Sequence, residues 1–168
     1  MPRYATLGAA GYVVANPLIE GQSQEKTVSS STAVMVNGDV VFTIAGGPIQ
    51  IIDIISECIT ANGATATTMQ WRSVPTVGTA ATISGASASL ANQTAGSTIR
   101  LAPTALTTAL SIVAASAGGL SLGVDEANRI AVKTGTLSLV IGVGSTTGTY
   151  RHWLRYAPLS PTVTVTAN

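Results

Sequence analysis

The sequence predicts an all-β fold, a β-sandwich or jelly-roll-like domain, from three observations. Short β-prone runs recur along the chain, Gly, Pro and Asn clusters punctuate them, and no segment has a clear helical period. At 168 residues the chain suits one domain. We place the sandwich at 32–168 and read 1–31, which has few strand signals, as an N-terminal arm or edge segment.

The first reversal lies between Thr32–Val36 and Val40–Ile44, separated by Asn37-Gly38-Asp39. Asn-Gly tolerates the positive φ of a tight turn, so the pair is expected to form a hairpin. Gly46-Gly47-Pro48 then interrupts the ladder, because proline lacks the donor N–H. The isoleucine-rich run Ile49–Thr60 follows as a central strand. Strict alternation puts Ile49, Ile51, Ile55 and Ile59 on one face and Ile52, Ile54 and Cys58 on the other, so both faces are expected to be covered. Asn62-Gly63 repeats the turn signal before Ala64–Arg72, in which Thr65, Thr67, Met69 and Trp71 alternate with Ala66, Thr68, Gln70 and Arg72, giving a second expected hairpin.

The middle of the chain, Ser73–Leu101, has weak periodicity, with strands expected at Thr79–Ile83 and Ser97–Leu101. Leu106–Ser116 is open between helix and strand: Leu and Ala favour a helix, whereas repeated Thr and the absence of charged partners oppose it. Periodicity returns at Arg129–Lys133 and at Thr136–Val143, where Leu137, Leu139, Ile141 and Val143 share a face. The turn Gly144–Gly148 leads into Thr149–Tyr156, which sends Tyr150, His152, Leu154 and Tyr156 one way and Arg151, Trp153 and Arg155 the other. This is the third expected hairpin. Pro161–Thr166 reads as an edge strand.

Composition narrows the function classes. Hydrophobic residues make up 46% of the chain and charged residues 9%, so Thr, Ser, Ala and Gly must supply much of the surface. Low net charge gives little colloidal repulsion and favours assembly. Eight basic residues against seven acidic ones leave +1, which provides no electrostatic footprint for a nucleic-acid backbone or an anionic membrane. Neither partner is expected. Leu101–Val124 is uncharged and long enough for a bilayer of about 30 Å, but Pro103, Ser111, Ser116 and Gly118-Gly119 dilute it and no basic flank marks an end. Met1-Pro2-Arg3-Tyr4 lacks a secretory pattern, so synthesis and assembly in a cytoplasm are expected.

Catalytic and metal chemistry are not expected, and no cofactor is assigned. Cys58 is the single cysteine, which rules out an intrachain disulfide and reads as a buried small residue. The acids are Glu20, Glu25, Asp39, Asp53, Glu57, Asp125 and Glu126. Asp53 and Glu57 share a strand face at about 13 Å, too far for a glycosidase pair, and a structural role or a contact with Arg72 or Arg155 is expected for them. Asp125-Glu126 reads as a solvated turn rather than a calcium site. His152 has no second histidine or cysteine to share a metal, and no nucleophile elbow or phosphate loop accompanies it.

The one dense aromatic and basic segment is Tyr150, Arg151, His152, Trp153, Arg155 and Tyr156. Together with Trp71 and Arg72 it forms the candidate protein interface, because aromatics and arginine combine large contact area with directional donors. A receptor- or glycan-binding module, such as a lectin-like domain, would instead use Trp71 or Trp153 as a stacking platform.

Several segments carry a likeness to known proteins: Asp39–Ile49, the Ala/Thr-rich strand ending in Met69-Gln70-Trp71, Gly135-Thr136-Leu137, Ser145–Gly148, and the Trp-bearing strand ending in Tyr156-Ala157-Pro158-Leu159. In these the chain resembles the head decoration, or cement, proteins of tailed bacteriophages. The resemblance implies a structural virion protein on the capsid surface. Its partners would be the major capsid protein and two further copies of itself in a trimer, seated at three-fold and quasi-three-fold positions of the expanded shell.

Overall fold

The computed structural model describes residues 25–101 and 129–168 fully, together with the backbone of strands at 3–6, 12–15 and 111–113. Among the described residues there is no helix, and no helix is long and apolar enough to cross a membrane. The fold is an all-β sandwich of antiparallel sheets.

Among the described residues fourteen strands occur in chain order: β1 Arg3–Thr6, β2 Tyr12–Ala15, β3 Lys26–Ser29, β4 Ala33–Val36, β5 Val40–Ala45, β6 Ile49–Cys58, β7 Met69–Pro75, β8 Ala81–Thr82, β9 Thr98–Leu101, β10 Ser111–Val113, β11 Ile130–Val132, β12 Gly135–Ile141, β13 Ser145–Pro158 and β14 Thr164–Ala167. The first sheet runs β10-β9-β6-β13-β3, with β11 also pairing β6 and β4 also pairing β13. The second runs β14-β5-β12-β7-β8, and β1 and β2 pair separately. Within the expected arm, Lys26–Ser29 is thus a strand of the first sheet, joined to Trp153–Tyr156.

The two sheets enclose one core. Phe42, Ile44, Met69, Trp71, Leu137 and Leu139 come from the second sheet, and Ile49, Ile51, Ile54, Ile99, Tyr150 and Leu154 from the first, all 2% exposed or less. Contact across the core is direct. The Trp71 ring stacks on Phe42 at 6.1 Å and meets His152 of the opposite sheet edge-on at 5.3 Å. Aligned sheets about 10 Å apart place inward side chains at this separation.

The three expected hairpins are not hairpins. Each reversal is present, but it carries the chain from one sheet to the other: β4 to β5, β6 to β7 and β12 to β13 all change sheet. The first turn shows why. Asp39 Oδ2 accepts from Val36 N at 2.7 Å and Asn37 Oδ1 accepts from Ile141 N at 3.1 Å, while Gly38 takes φ +91°. These bonds tie the turn to β12 and to its own start, so the strands that leave it face each other across the core. A local turn signal specifies reversal. Which neighbour a strand pairs with is decided by where its apolar face can be buried.

β6 is central, as expected, between β13 on one side and β9 and β11 on the other. Its faces, however, do not follow strict alternation. The register with β13 shifts between Arg155 and Tyr156, so that Asp53 opposes Arg155 and Ile51 opposes Tyr156, leaving Ile52 as an extra residue. A bulge of this kind flips parity. Ile49 and Ile51 before it, and Ile54, Ser56 and Cys58 after it, all point inward as a result, whereas Ile55 and Ile59 are only half-buried.

Of the remaining strand expectations, β8 and β9 fall within Thr79–Ile83 and Ser97–Leu101, and β14 is an edge strand on β5. Ser111–Val113 of the ambiguous segment is strand, paired with β9. The rest of Leu106–Ser116, most of Leu101–Val124 and the Asp125-Glu126 turn lie outside the described residues.

Candidate interaction surface

Strand β13 is the longest among the described residues and pairs over nine positions with β6, which fixes every side chain along it to a face. Alternation divides the aromatic and basic segment in two. Tyr150, His152 and Tyr156 point inward, at 0%, 5% and 4% exposure, and belong to the interior together with Trp71. Arg151 and Arg155 are exposed and Trp153 is half-buried on the outer face. Arg72, also exposed, lies on β7 in the opposite sheet, away from Trp153. Of the eight residues expected at one interface, only Arg151, Trp153 and Arg155 share a surface.

On that surface the Arg151 guanidinium lies 5.9 Å from the centroid of the Trp153 ring and donates from Nε and Nη2 to Thr32 Oγ1, at 3.2 and 3.1 Å. Arg155 donates to Glu25 Oε2 from Nε at 2.9 Å and from Nη2 at 2.6 Å, with Arg129 Nη2 on the other carboxylate oxygen at 3.8 Å. These contacts hold Arg151 over the indole ring and anchor Arg155, two residues beyond Trp153 on the same face, to Glu25. An arginine lying over an aromatic ring can donate in its own plane at the same time, as Arg151 does to Thr32.

Next to Arg155 on the same face, Asp53 is paired with Arg100 through two parallel bonds, Nε to Oδ1 at 3.0 Å and Nη2 to Oδ2 at 2.5 Å. Both side chains are nearly buried, at 5% and 12% exposure. The partner is neither Arg72 nor Arg155, the two expected: Arg100 sits on β9, whose register beside β6 brings it to Asp53, while Glu25 occupies Arg155.

His152, Cys58 and Tyr150 each have a structural partner in the interior, whereas Gln93 Nε2 is buried without one among the described residues. His152 Nδ1 bonds Ser56 Oγ at 2.8 Å, its backbone N donates to Ser30 Oγ, and burial lowers its pKa to about 4, so the imidazole is neutral. A cleft of about 300 Å³ on the sandwich flank, between Ser30–Val34 and Asp39–Val41, has Tyr150 and His152 at its floor. Asp39 at its rim is engaged by Val36 N. Cys58 is fully buried, its Sγ directed at the Thr60 carbonyl at 3.1 Å, and burial raises its pKa. Tyr150 Oη donates to Gln93 Oε1 at 2.8 Å, and burial pushes the phenol well above its usual range. Among the described residues no group of three or more His, Cys, Asp or Glu is placed to hold a metal ion.

One organising residue was not singled out by the sequence reading. Asn62 is 6% exposed; its Oδ1 accepts from Thr147 N, Thr147 Oγ1 and Gly148 N at 2.9 to 3.0 Å, and its Nδ2 donates to Leu90 O at 2.8 Å. The Asn-Gly dipeptide was a signal at this position, but for a turn rather than for a buried side-chain hub.

Comparison of the chain with protein-family models, with curated proteins and with solved structures returns no match.

Proposed function

We propose that the chain is a structural virion protein. In this reading it binds the outside of a tailed-phage capsid as a homotrimer, at three-fold and quasi-three-fold positions, and stabilises the expanded shell. The observation that carries the reading is the outer face of β13, where Trp153 stands between Arg151 and Arg155 on a strand locked into the sheet. A rigid indole flanked by arginines is the composition of an interface hot spot. The resemblance in strand and turn segments to decoration proteins supplies the choice of partner.

The mechanism requires no reaction. A protein that binds only where shell subunits meet adds its binding free energy to the closed shell and not to separated subunits, so it resists internal pressure by linkage. Three copies joined in a trimer convert weak single contacts into firm attachment.

The test is binding of the purified chain to expanded phage shells stripped of decoration protein, imaged for density at three-fold positions. Trp153→Ala, with Arg151→Ala as a second variant, should reduce occupancy at least ~10-fold, as for a hot-spot residue. Glycan-array binding by the free protein through Trp153, with no density on shells, would replace this reading with the glycan-binding one. Trp71, at 1% exposure, cannot be the platform in that case.

A further inference from the structure

The end of the sandwich opposite the Asn37–Asp39 turn carries a second surface. Val77, in the loop between β7 and β8, is 80% exposed, the highest value among the large hydrophobic residues that are described. Its loop is not loose at its base: Thr76 N donates to Thr134 O at 2.9 Å, and Gly135 at φ +148° packs so closely that a Cβ there would overlap the Val74 carbonyl. Hollows lie on either side of this fixed aliphatic knob. One, of about 260 Å³, is lined by Pro48, Thr76, Val77, Lys133 and Thr134. The other, of about 250 Å³, takes its apolar lining from Pro75, Ala81, Ile83, Ile130 and Val132 and shares Val77 and Lys133 with the first.

Lys133 is exposed and is the one charged residue among the described residues lining the two hollows; no acid lines either. Among the described residues no carboxylate pairs with it, in contrast to Arg100, Arg129 and Arg155.

We infer that this end is a docking surface for an extended protein segment that carries a carboxylate beside aliphatic side chains, its apolar groups seated in the two hollows around Val77 and its carboxylate on Lys133. The chemistry of the lining selects this occupant over others. A glycan site needs a ring platform and planar hydrogen-bonding side chains, and the described lining has neither aromatic nor Asn, Gln, Asp or Glu. A nucleic-acid backbone needs a field of several cations rather than one. Paired hollows divided by a knob match alternate side chains of an extended chain. If the capsid reading above holds, the segment belongs to a shell subunit, but the surface stands without it.

The experiment pans a displayed library of short random peptides against the full chain and against Lys133→Glu and Val77→Asp. Both substitutions are at exposed positions, and folding of each variant is checked by its unfolding curve. Peptides enriched on the wild type should pair Asp or Glu with aliphatic residues, perturb the methyl resonances of Val77, Ile130 and Val132, and bind both variants at least ~10-fold more weakly, the effect of losing one anchor. Enriched peptides without acids, equal binding to Val77→Asp, or no enrichment over the variants would overturn the inference. Shell binding by the wild type and both variants alike, with no peptide selected, would overturn this surface while leaving the capsid reading in place. Selection of acidic-aliphatic peptides without any shell binding would do the reverse.

Discussion

Replacing Asn62 with Ala removes four side-chain hydrogen bonds in one step, and the structure shows which of their partners can recover. Thr147 is exposed, so its N–H and hydroxyl can turn to water, and Leu90 O still accepts from Gln93 N at 3.2 Å. Gly148 N cannot, since Gly148 is buried. Nor can that glycine be shifted easily, because a Cβ there would overlap the Thr60 carbonyl. Three net hydrogen bonds at about 1 kcal/mol each, plus about 1–2 kcal/mol for one stranded buried donor, give a loss of about 4–5 kcal/mol. Against a typical domain stability of about 5–15 kcal/mol this is a large fraction. At an m-value of about 2 kcal/mol/M the urea midpoint should fall by about 2 M with m unchanged. Asn37→Ala is the control. It has the same dipeptide context, but Asn37 is exposed and its side chain makes a single bond, to Ile141 N, so the expected loss is about 1 kcal/mol. A loss below about 1 kcal/mol for Asn62→Ala, or equal losses for the two variants, would refute the view that the buried amide holds these loops together.

Stability should also depend on pH through His152. Its folded pKa, lowered to about 4 by burial, lies below the ordinary value of 6.5, so between these values the unfolded chain binds the proton that the folded chain excludes. The contribution is full above pH 6.5 and is lost as pH falls towards 4, by about 3 kcal/mol in total. Urea titrations from pH 7 to pH 4 should show this slope, and His152→Gln, unable to titrate, should flatten it; the same slope in both proteins would exclude His152 as its origin. On the first sheet's outer face, Asp53→Asn removes the bidentate acceptor of Arg100 in a nearly buried pair and should cost about 3 kcal/mol, whereas Arg155→Gln breaks an exposed pair and should cost at most about 1 kcal/mol by the same unfolding assay. Equal costs would show that burial does not separate the two ion pairs.

The legible part of the fold was local. The alternation that set Arg151, Trp153 and Arg155 apart from Tyr150, His152 and Tyr156 agrees with the burial found along β13. Treating the whole segment as one surface ignored what that alternation implied: half of any densely aromatic strand in a sandwich faces the core. What local pattern could not give was pairing between distant positions. β13 meets β6 about a hundred residues away in sequence, and the bulge at Ile52 that aligns the inward faces exists only once that pairing is made. Arg100 reaches Asp53 through another such pairing, so the nearest basic residues in strand logic were not its partners. Turn chemistry had the same limit. Asn37-Gly38 and Asn62-Gly63 look alike as dipeptides, yet one supplies a left-handed glycine and the other a buried amide.

The conversion of expected hairpins into crossings between sheets bears on function. A hairpin would have kept successive strands side by side and placed its turn along a sheet edge. Crossings instead gather the turns at the two ends of the sandwich, where Val36, Val40 and Val143 are exposed at one end and Val77 and Leu159 at the other. Exposed β-branched and aliphatic side chains at both ends, with few charges to keep copies apart, leave apolar surface that burial against other proteins would stabilise. The outer face of β13 adds a directional, arginine-bearing site on the side. A protein with contact chemistry on its side and at its ends is suited to touching several neighbours at once, and such contacts reinforce one another through multivalency.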